Sequence, residues 1–198
     1  HLPSMRGTAL ELLDFIKHDF PELPVYVLLG APQDLLIIES HLEELRMVQD
    51  FFYWNGDSKL FLTIIKLWEE TLNIPHDTLV YDIPIIMVVE TFIPYYSQFL
   101  PLLYEQIMQL CNYLIRQEHQ SQYKNLYLNA RPRIVLMHDY DSAMEFSTKY
   151  RNSIIGIISN VNYNYLGYSE PSAGIQLLQN IRKLAPTVPF LMQSFNPD

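Results

Sequence analysis

Six histidines, one cysteine and 22 acidic side chains are the groups in this 198-residue chain that could ligate a metal, attack a substrate or move a proton. The densest constellation is His138-Asp139-Tyr140-Asp141, an imidazole and two carboxylates within one short stretch. Such a cluster suits a metal, but it also stands where an apolar run gives way to an amphipathic one, a place where aspartate caps helices. Capping is the reading, with Asp141 as N-cap and Glu145 in the first turn. His1, His18, His41, His76 and His119 are scattered over polar stretches and termini, as ordinary surface histidines are. Cys111 has no partner for an internal disulfide and sits in a Leu/Ile-rich helical pattern, which marks a packed thiol. The six glycines form neither G-x-G-x-x-G nor G-x-x-x-x-G-K-[ST], and no G-x-S-x-G elbow occurs, so neither a pyrophosphate cradle nor a hydrolase nucleophile is encoded. The segment Asn160 to Tyr168 is unusual for its three asparagines and three tyrosines, Tyr163, Tyr165 and Tyr168. Its place after a strand-like run is where doubly wound folds bind ligands. A loop packed on itself is favoured over a contact surface for a partner or ligand.

The elements that hold these residues are legible in the apolar pattern. Short β-branched or aromatic runs recur at Val25 to Leu29, Val48 to Trp54, Pro84 to Val89, Arg133 to Met137, Ile154 to Ser159 and Val188 to Met192. Runs this apolar suit strands buried on both faces. Amphipathic stretches alternate with them at Ala9 to His18, Gln33 to Arg46, Ser58 to Leu72, Leu100 to Arg116, Asp141 to Tyr150 and Ala173 to Leu184. Alternation at this spacing requires crossover connections, hence an α/β fold with a doubly wound parallel sheet and helices on both faces. Asn73 to Asp82, with Pro75 and few large apolar side chains, reads as a linker.

Composition narrows the function. Hydrophobic residues make up 49% of the chain, which excludes disorder, and the 13 prolines exclude a bundle of long helices. The formal charge of −9, with no basic cluster, disfavours nucleic acid and anionic membrane surfaces as partners. No apolar run approaches the roughly 20 residues of a membrane helix and no signal peptide opens the chain, so a soluble, cytoplasmic protein is expected.

An internal repeat organises the chain. Residues 9–24 align without a gap on residues 174–189, an offset of 165, with identity at Leu12/Leu177, Leu13/Leu178, Ile16/Ile181, Pro21/Pro186 and Pro24/Pro189. Both copies run from a helix through Pro-x-x-Pro into a strand, which suggests duplicated units. Both units break off midway, so a fragment of a longer chain is expected, divided at residues 1–75 and 76–198.

With strands ending in Val89-Glu90, Met137-His138, Ser159-Asn160 and Gln193-Ser194, the second unit resembles a response-regulator receiver domain from its first to its fourth strand, and residues 5–75 resemble the second half of a preceding one. Finer motifs, Tyr95-Tyr96-Ser97 after Glu90, Arg131-Pro-Arg133, Tyr168-x-Glu-Pro-x-Ala-Gly174 and Gln193-Ser-x-Asn-Pro197, are similar to the paired receiver-like region ahead of some phosphoenolpyruvate synthase and pyruvate phosphate dikinase-type proteins.

The resemblance implies a flavodoxin-like, three-layer α/β/α fold and a site that has lost its chemistry. The acidic pair that holds Mg²⁺ falls on Glu90 and Thr91, the phosphoacceptor aspartate on Asn160, and the hydroxyl after the fourth strand on Ser194. An amide cannot form an acyl phosphate, and one carboxylate is a poor set for a hard cation, so no cofactor beyond weakly bound Mg²⁺ is expected. The first half-unit matches neither the hydroxyl, at Leu29-Gly30, nor the lysine, at Tyr53-Trp54. The implied function is a non-enzymatic, degenerate receiver-like regulatory or docking module of a larger signalling or phosphotransferase protein. Its partners would be other domains of that parent chain, a signalling protein or a second copy, and any dikinase-type catalysis would lie elsewhere in the parent chain. The alternatives are a functional two-component phosphoacceptor, with its aspartate upstream of His1, and a flavodoxin-like cofactor binder. In this frame Ile85 to Val89 lies between the other two central strands, and neither unit alone closes a five-stranded sheet.

Overall fold

The computed structural model describes residues 4–31, 33–41, 45, 47–117, 131–165 and 168–194, which form two compact units, His1–Asn55 and Gly56–Asp198. The first unit contains α1 (Ser4–Asp19), β1 (Val25–Leu29), α2 (Asp34–Ser40) and β2 (Val48–Tyr53). Its two strands pair in parallel, with Val27 opposite Phe51 and Leu29 opposite Tyr53, and bury Leu29, Phe51 and Phe52. The turn out of β1 is held by Asp34, whose Oδ2 accepts from the N–H groups of Gly30 and Ala31 at 3.0 and 2.9 Å. Helix α2 is shorter than the sequence pattern suggests. It ends at Ser40, and a turn in which the Val48 N–H bonds to the Leu45 carbonyl leads into β2.

The second unit begins with α3 (Lys59–Tyr81) and continues through β3 (Ile85–Val89), α4 (Ile93–Gln117), β4 (Arg133–Met137), α5 (Tyr140–Lys149), β5 (Ile154–Asn160), β6 (Tyr163–Tyr165), β7 (Tyr168–Glu170), α6 (Ala173–Leu184) and β8 (Phe190–Gln193). Four of its strands form one sheet, all parallel, in the order β4-β3-β5-β8, so β3 lies between β4 and β5, as the receiver resemblance implies. The order explains the layers. The step from β3 to β4 runs one way along the sheet, and the steps from β4 to β5 and from β5 to β8 run the other way. Right-handed crossovers therefore place α4 on one face and α5 and α6 on the opposite one. Alpha-helices α5 and α6 accordingly pack together, over a core containing Ile85, Met87, Val89, Val135, Ala143, Ile157, Leu177 and Ile181. Val88 and Ile134 alternate to the other face and are buried too, so β3 is enclosed on both sides and its unbroken apolar run is accounted for.

Several expectations are corrected here. Residues 73–82 are not a linker: α3 runs through Pro75 to Tyr81 and stops at Asp82, in the left-handed region at φ 51°. Proline inside a helix costs about 3 kcal/mol, but the turns around it are anchored by burial of Ile74 and Thr78 and by Asp77 Oδ2, 2.7 Å from Arg133 Nε. Alpha-helix α3 also packs on α4 and β4, so it belongs to the second unit, and the compact units divide at 55/56 rather than 75/76. Its buried Glu70 accepts from the Ile134 N–H at 2.6 Å on edge strand β4, from Tyr104 Oη at 2.9 Å and from the Arg131 guanidinium. The helix thereby supplies an acceptor to the edge strand it covers.

The cap of α5 differs as well. Asp139, extended at φ −141°, accepts from the Ser142 N–H at 2.7 Å, and Asp141 follows within the first turn. An N-cap needs a non-helical backbone with its side chain free to fold over the N3 amide, which Asp139 has and the helical Asp141 lacks. Glu145 lies beyond the first turn. Strand β8 starts at Phe190 instead of Val188 because Val188 is held in a turn by the Ala185 carbonyl and Pro189 has no N–H to give. Residues 163–170, read as loop, hold the antiparallel β6-β7 pair. Among the described residues no helix is long and apolar enough to cross a membrane.

Candidate functional site

The carboxyl ends of β3 and β5 meet where the chain changes direction along the sheet, the position at which open α/β sheets place ligands. Glu90, the residue after β3, is fully buried there. Its Oε1 accepts from the N–H groups of Thr91 and Phe92 at 2.9 and 3.0 Å and from Asn160 Nδ2 at 3.1 Å. Its Oε2 accepts from Gln193 Nε2 at 2.6 Å. Gln193 is the last residue of β8, and its Oε1 accepts in turn from Tyr95 Oη at 2.9 Å. Strand ends β3, β5 and β8 and the first turns of α4 thus converge on one carboxylate, through amides and a phenol.

The surroundings hold this arrangement from several sides. Asn160 Oδ1 accepts from the Val161 N–H at 2.8 Å, which orients the amide so that its nitrogen faces Glu90. Thr91 is buried and its hydroxyl oxygen accepts from the Asn164 N–H at 3.0 Å, so it holds the β6-β7 hairpin instead of facing a ligand. His138 Nδ1 lies 2.7 Å from the Glu90 carbonyl, and because a carbonyl only accepts, Nδ1 carries the proton. Its ring lies against Tyr96. Gly174, in the first turn of α6, fits under β5 only because it lacks a side chain: a Cβ would stand 1.9 Å from the Asn160 carbonyl oxygen.

Glu90, Thr91 and Asn160 share one buried cluster, and Ser194 follows Gln193 at the end of β8 and is exposed. Tyr163 turns inward, 2% exposed, with its hydroxyl 2.8 Å from Ser159 Oγ, so it belongs to the core and not to a contact surface. Burial is the largest cause that pushes its phenol above the ordinary tyrosine range, with Glu90 and other carboxylates adding and the Ser159 bond opposing. Burial, then Glu90, raises Tyr95 in the same direction. Tyr165 and Tyr168 pair across the hairpin, and their side chains lie outside the described residues. Gln193 and Tyr95 belong to the sequence motifs but not to the site that the resemblance implies; their common position beside strand ends is the signal that points to them.

Chemically, the cluster is a saturated carboxylate. Among the described residues no group of three or more His, Cys, Asp or Glu side chains is arranged to hold a metal ion, and every buried side-chain nitrogen or oxygen has a hydrogen-bond partner. Apart from this cluster, a groove of about 360 Å³ between α3 and α4 is mostly apolar, and its charged rim is paired within the protein, Lys59 with Glu105 at 2.8 Å and Arg131 with Glu70. Comparison with protein-family models, with curated proteins and with solved structures returns no match to this chain.

Proposed function

We propose that the chain is a degenerate receiver-like module of flavodoxin-like, three-layer architecture, which acts by docking or regulation and carries no phosphoryl group at Asn160. What supports the architecture is the parallel order β4-β3-β5-β8, a 2-1-3-4 winding when counted from β3. What carries the functional reading is the bond from Asn160 Nδ2 to Glu90. Where a receiver keeps an acceptor carboxylate and a cation, this site keeps two amides, from Asn160 and Gln193, that donate hydrogen bonds to the remaining acid. A divalent cation entering here would have to displace both donors and would find one anionic side chain. The module's partners are then other domains of a parent chain or a signalling protein.

The test is chemical. The protein is incubated with Mg²⁺ and acetyl phosphate, and its intact mass is measured. No phosphoryl adduct is expected on the second unit. An adduct mapped to residues 154–165 would overturn the reading.

A further inference from the structure

The internal repeat makes β1 and β8 equivalent strands, since residues 9–24 align on residues 174–189 and each copy passes directly into a strand. With the same offset, Val25, Val27 and Leu29 correspond to Phe190, Met192 and Ser194. The two strands differ in their company. In the first unit, the Trp54 N–H bonds to the Leu29 carbonyl at 2.9 Å, so Leu29, and by alternation Val27 and Val25, aim their peptide groups at β2. The carbonyls of Pro189, just before β8, and of Gln193 at its end accept from Ile157 in β5 and from Val161 just after it, each at 3.0 Å, so Phe190 and Met192 aim their peptide groups the opposite way. The edge that β2 occupies on β1 is therefore the same edge that β8 turns away from β5. Among the described residues β8 pairs with β5 alone.

Side chains mark the same place. Tyr26 in β1 is partly covered by the ring of Phe52 in β2, centroids 6.1 Å apart. Its equivalent in β8, Leu191, is 60% exposed. A strand laid on β8 in the register of β2 on β1 would bring its Phe52-like residue onto the face of Leu191 and Gln193.

We infer that the outer edge of β8 is a docking site for a polypeptide segment that adds as a parallel strand with the residue pattern of Val48–Tyr53. Main-chain bonds to Phe190 and Met192 supply the affinity, and an aromatic residue over Leu191 supplies the selectivity. The interaction needs no metal and no phosphoryl group, so its failure would leave the reading of the Glu90 pocket untouched.

The probe is a fluorophore-labelled peptide with the sequence of residues 47–55, titrated into the full chain and followed by anisotropy. Amide exchange, resolved by NMR, is measured with and without it. Saturable binding is expected, with slowed exchange at Phe190 and Met192. By the register of β2, the peptide's Phe52 amide faces the docked-on strand and its Phe51 amide faces away. N-methylation at Phe52 should weaken binding at least about tenfold, and N-methylation at Phe51 should leave it within about twofold. Met192→Pro, which removes an outward N–H from an edge strand that tolerates proline, should abolish binding. Absence of saturable binding, equal effects of the two methylations, protection confined to other strands, or full binding by Met192→Pro would each overturn the inference.

Discussion

Replacing Asn160 by aspartate exchanges the donor that faces Glu90 for a second acid, and the effect can be worked through. The amide nitrogen stands 3.1 Å from Glu90 Oε1, and both residues are buried. Two carboxylates at that distance repel by about 5 kcal/mol at an effective dielectric near 20, and the lost hydrogen bond adds about 1–3 kcal/mol. The folded protein avoids most of this by keeping one proton on the pair. The unfolded chain does not keep it, because a free aspartate ionises near pH 4. The pair's folded pKa is therefore raised. The variant should match the wild type to within about 1 kcal/mol below pH 4, then lose about 1.4 kcal/mol per pH unit until the pair ionises. Urea unfolding followed by circular dichroism from pH 4 to pH 8 reads this directly. Magnesium at millimolar concentration should recover part of the loss at pH 7 in Asn160→Asp, more so with Thr91→Asp added, and should leave the wild type unchanged. A pH-independent difference, or equal stabilisation of wild type and variant by Mg²⁺, would refute the placement of Asn160 against Glu90.

Further outcomes follow from the same contacts. Gly174→Ala should destabilise by about 1–3 kcal/mol despite the better helix propensity of alanine, because the new methyl meets backbone at 1.9 Å, and Gly156→Ala, with nothing within 4 Å of its Cβ, is the control; equal losses in denaturant titrations would contradict the close approach of α6 to β5. Glu70→Gln strands the Arg131 guanidinium in the interior and should cost about 3–5 kcal/mol, whereas Tyr104→Phe should cost about 1 kcal/mol; a loss below 1 kcal/mol in Glu70→Gln would dissolve the network. Tyr26, pushed up to about 12 by burial and then by Asp50, and the buried Tyr104 and Tyr163, also raised, stay protonated where an unfolded tyrosine ionises near pH 10. Their contribution is complete below pH 10 and is lost as pH rises above it, so absorbance at alkaline pH should show late ionisation coincident with unfolding; ionisation of all tyrosines near pH 10 in a still-folded chain would contradict the burial.

The strands of the central sheet were legible because burial on both faces demands a run such as Ile85 to Val89, which few other elements tolerate. Alpha-helix α6 was legible to the residue for the complementary reason: Ala173, Leu177 and Ile181 repeat at helical spacing on the core side. What local pattern missed was decided at long range. Nothing near Pro75 in the chain says that the helix continues; Arg133, far along the sequence, says so by pairing with Asp77. The cap of α5 was misplaced by two residues because three polar residues in a row offer two aspartates, and only backbone geometry selects Asp139. The β6-β7 hairpin, three residues a side, is too short for periodicity to register.

The site divides along the same line. That Glu90 and Asn160 approach one another follows from strand order alone, since both end neighbouring parallel strands at the point where the winding reverses. Gln193 reaches the same carboxylate because β8 lies next to β5, yet a glutamine carries no signature of acid, base or ligand, and so nothing in its type drew attention to it. Its effect is nonetheless chemical. A buried carboxylate needs either a cation or donors to offset its desolvation, and here two backbone N–H groups and two amides provide donors on both oxygens. A cation could enter only by removing amides that are themselves oriented, Asn160 by Val161 and Gln193 by Tyr95. Such a pocket resists the binding of a divalent ion by geometry as well as by charge. Restoring one acid should therefore be weaker than restoring two, because Thr91 would still be engaged with Asn164 and would add no charge, while Gln193 holds the remaining oxygen of Glu90 in either case.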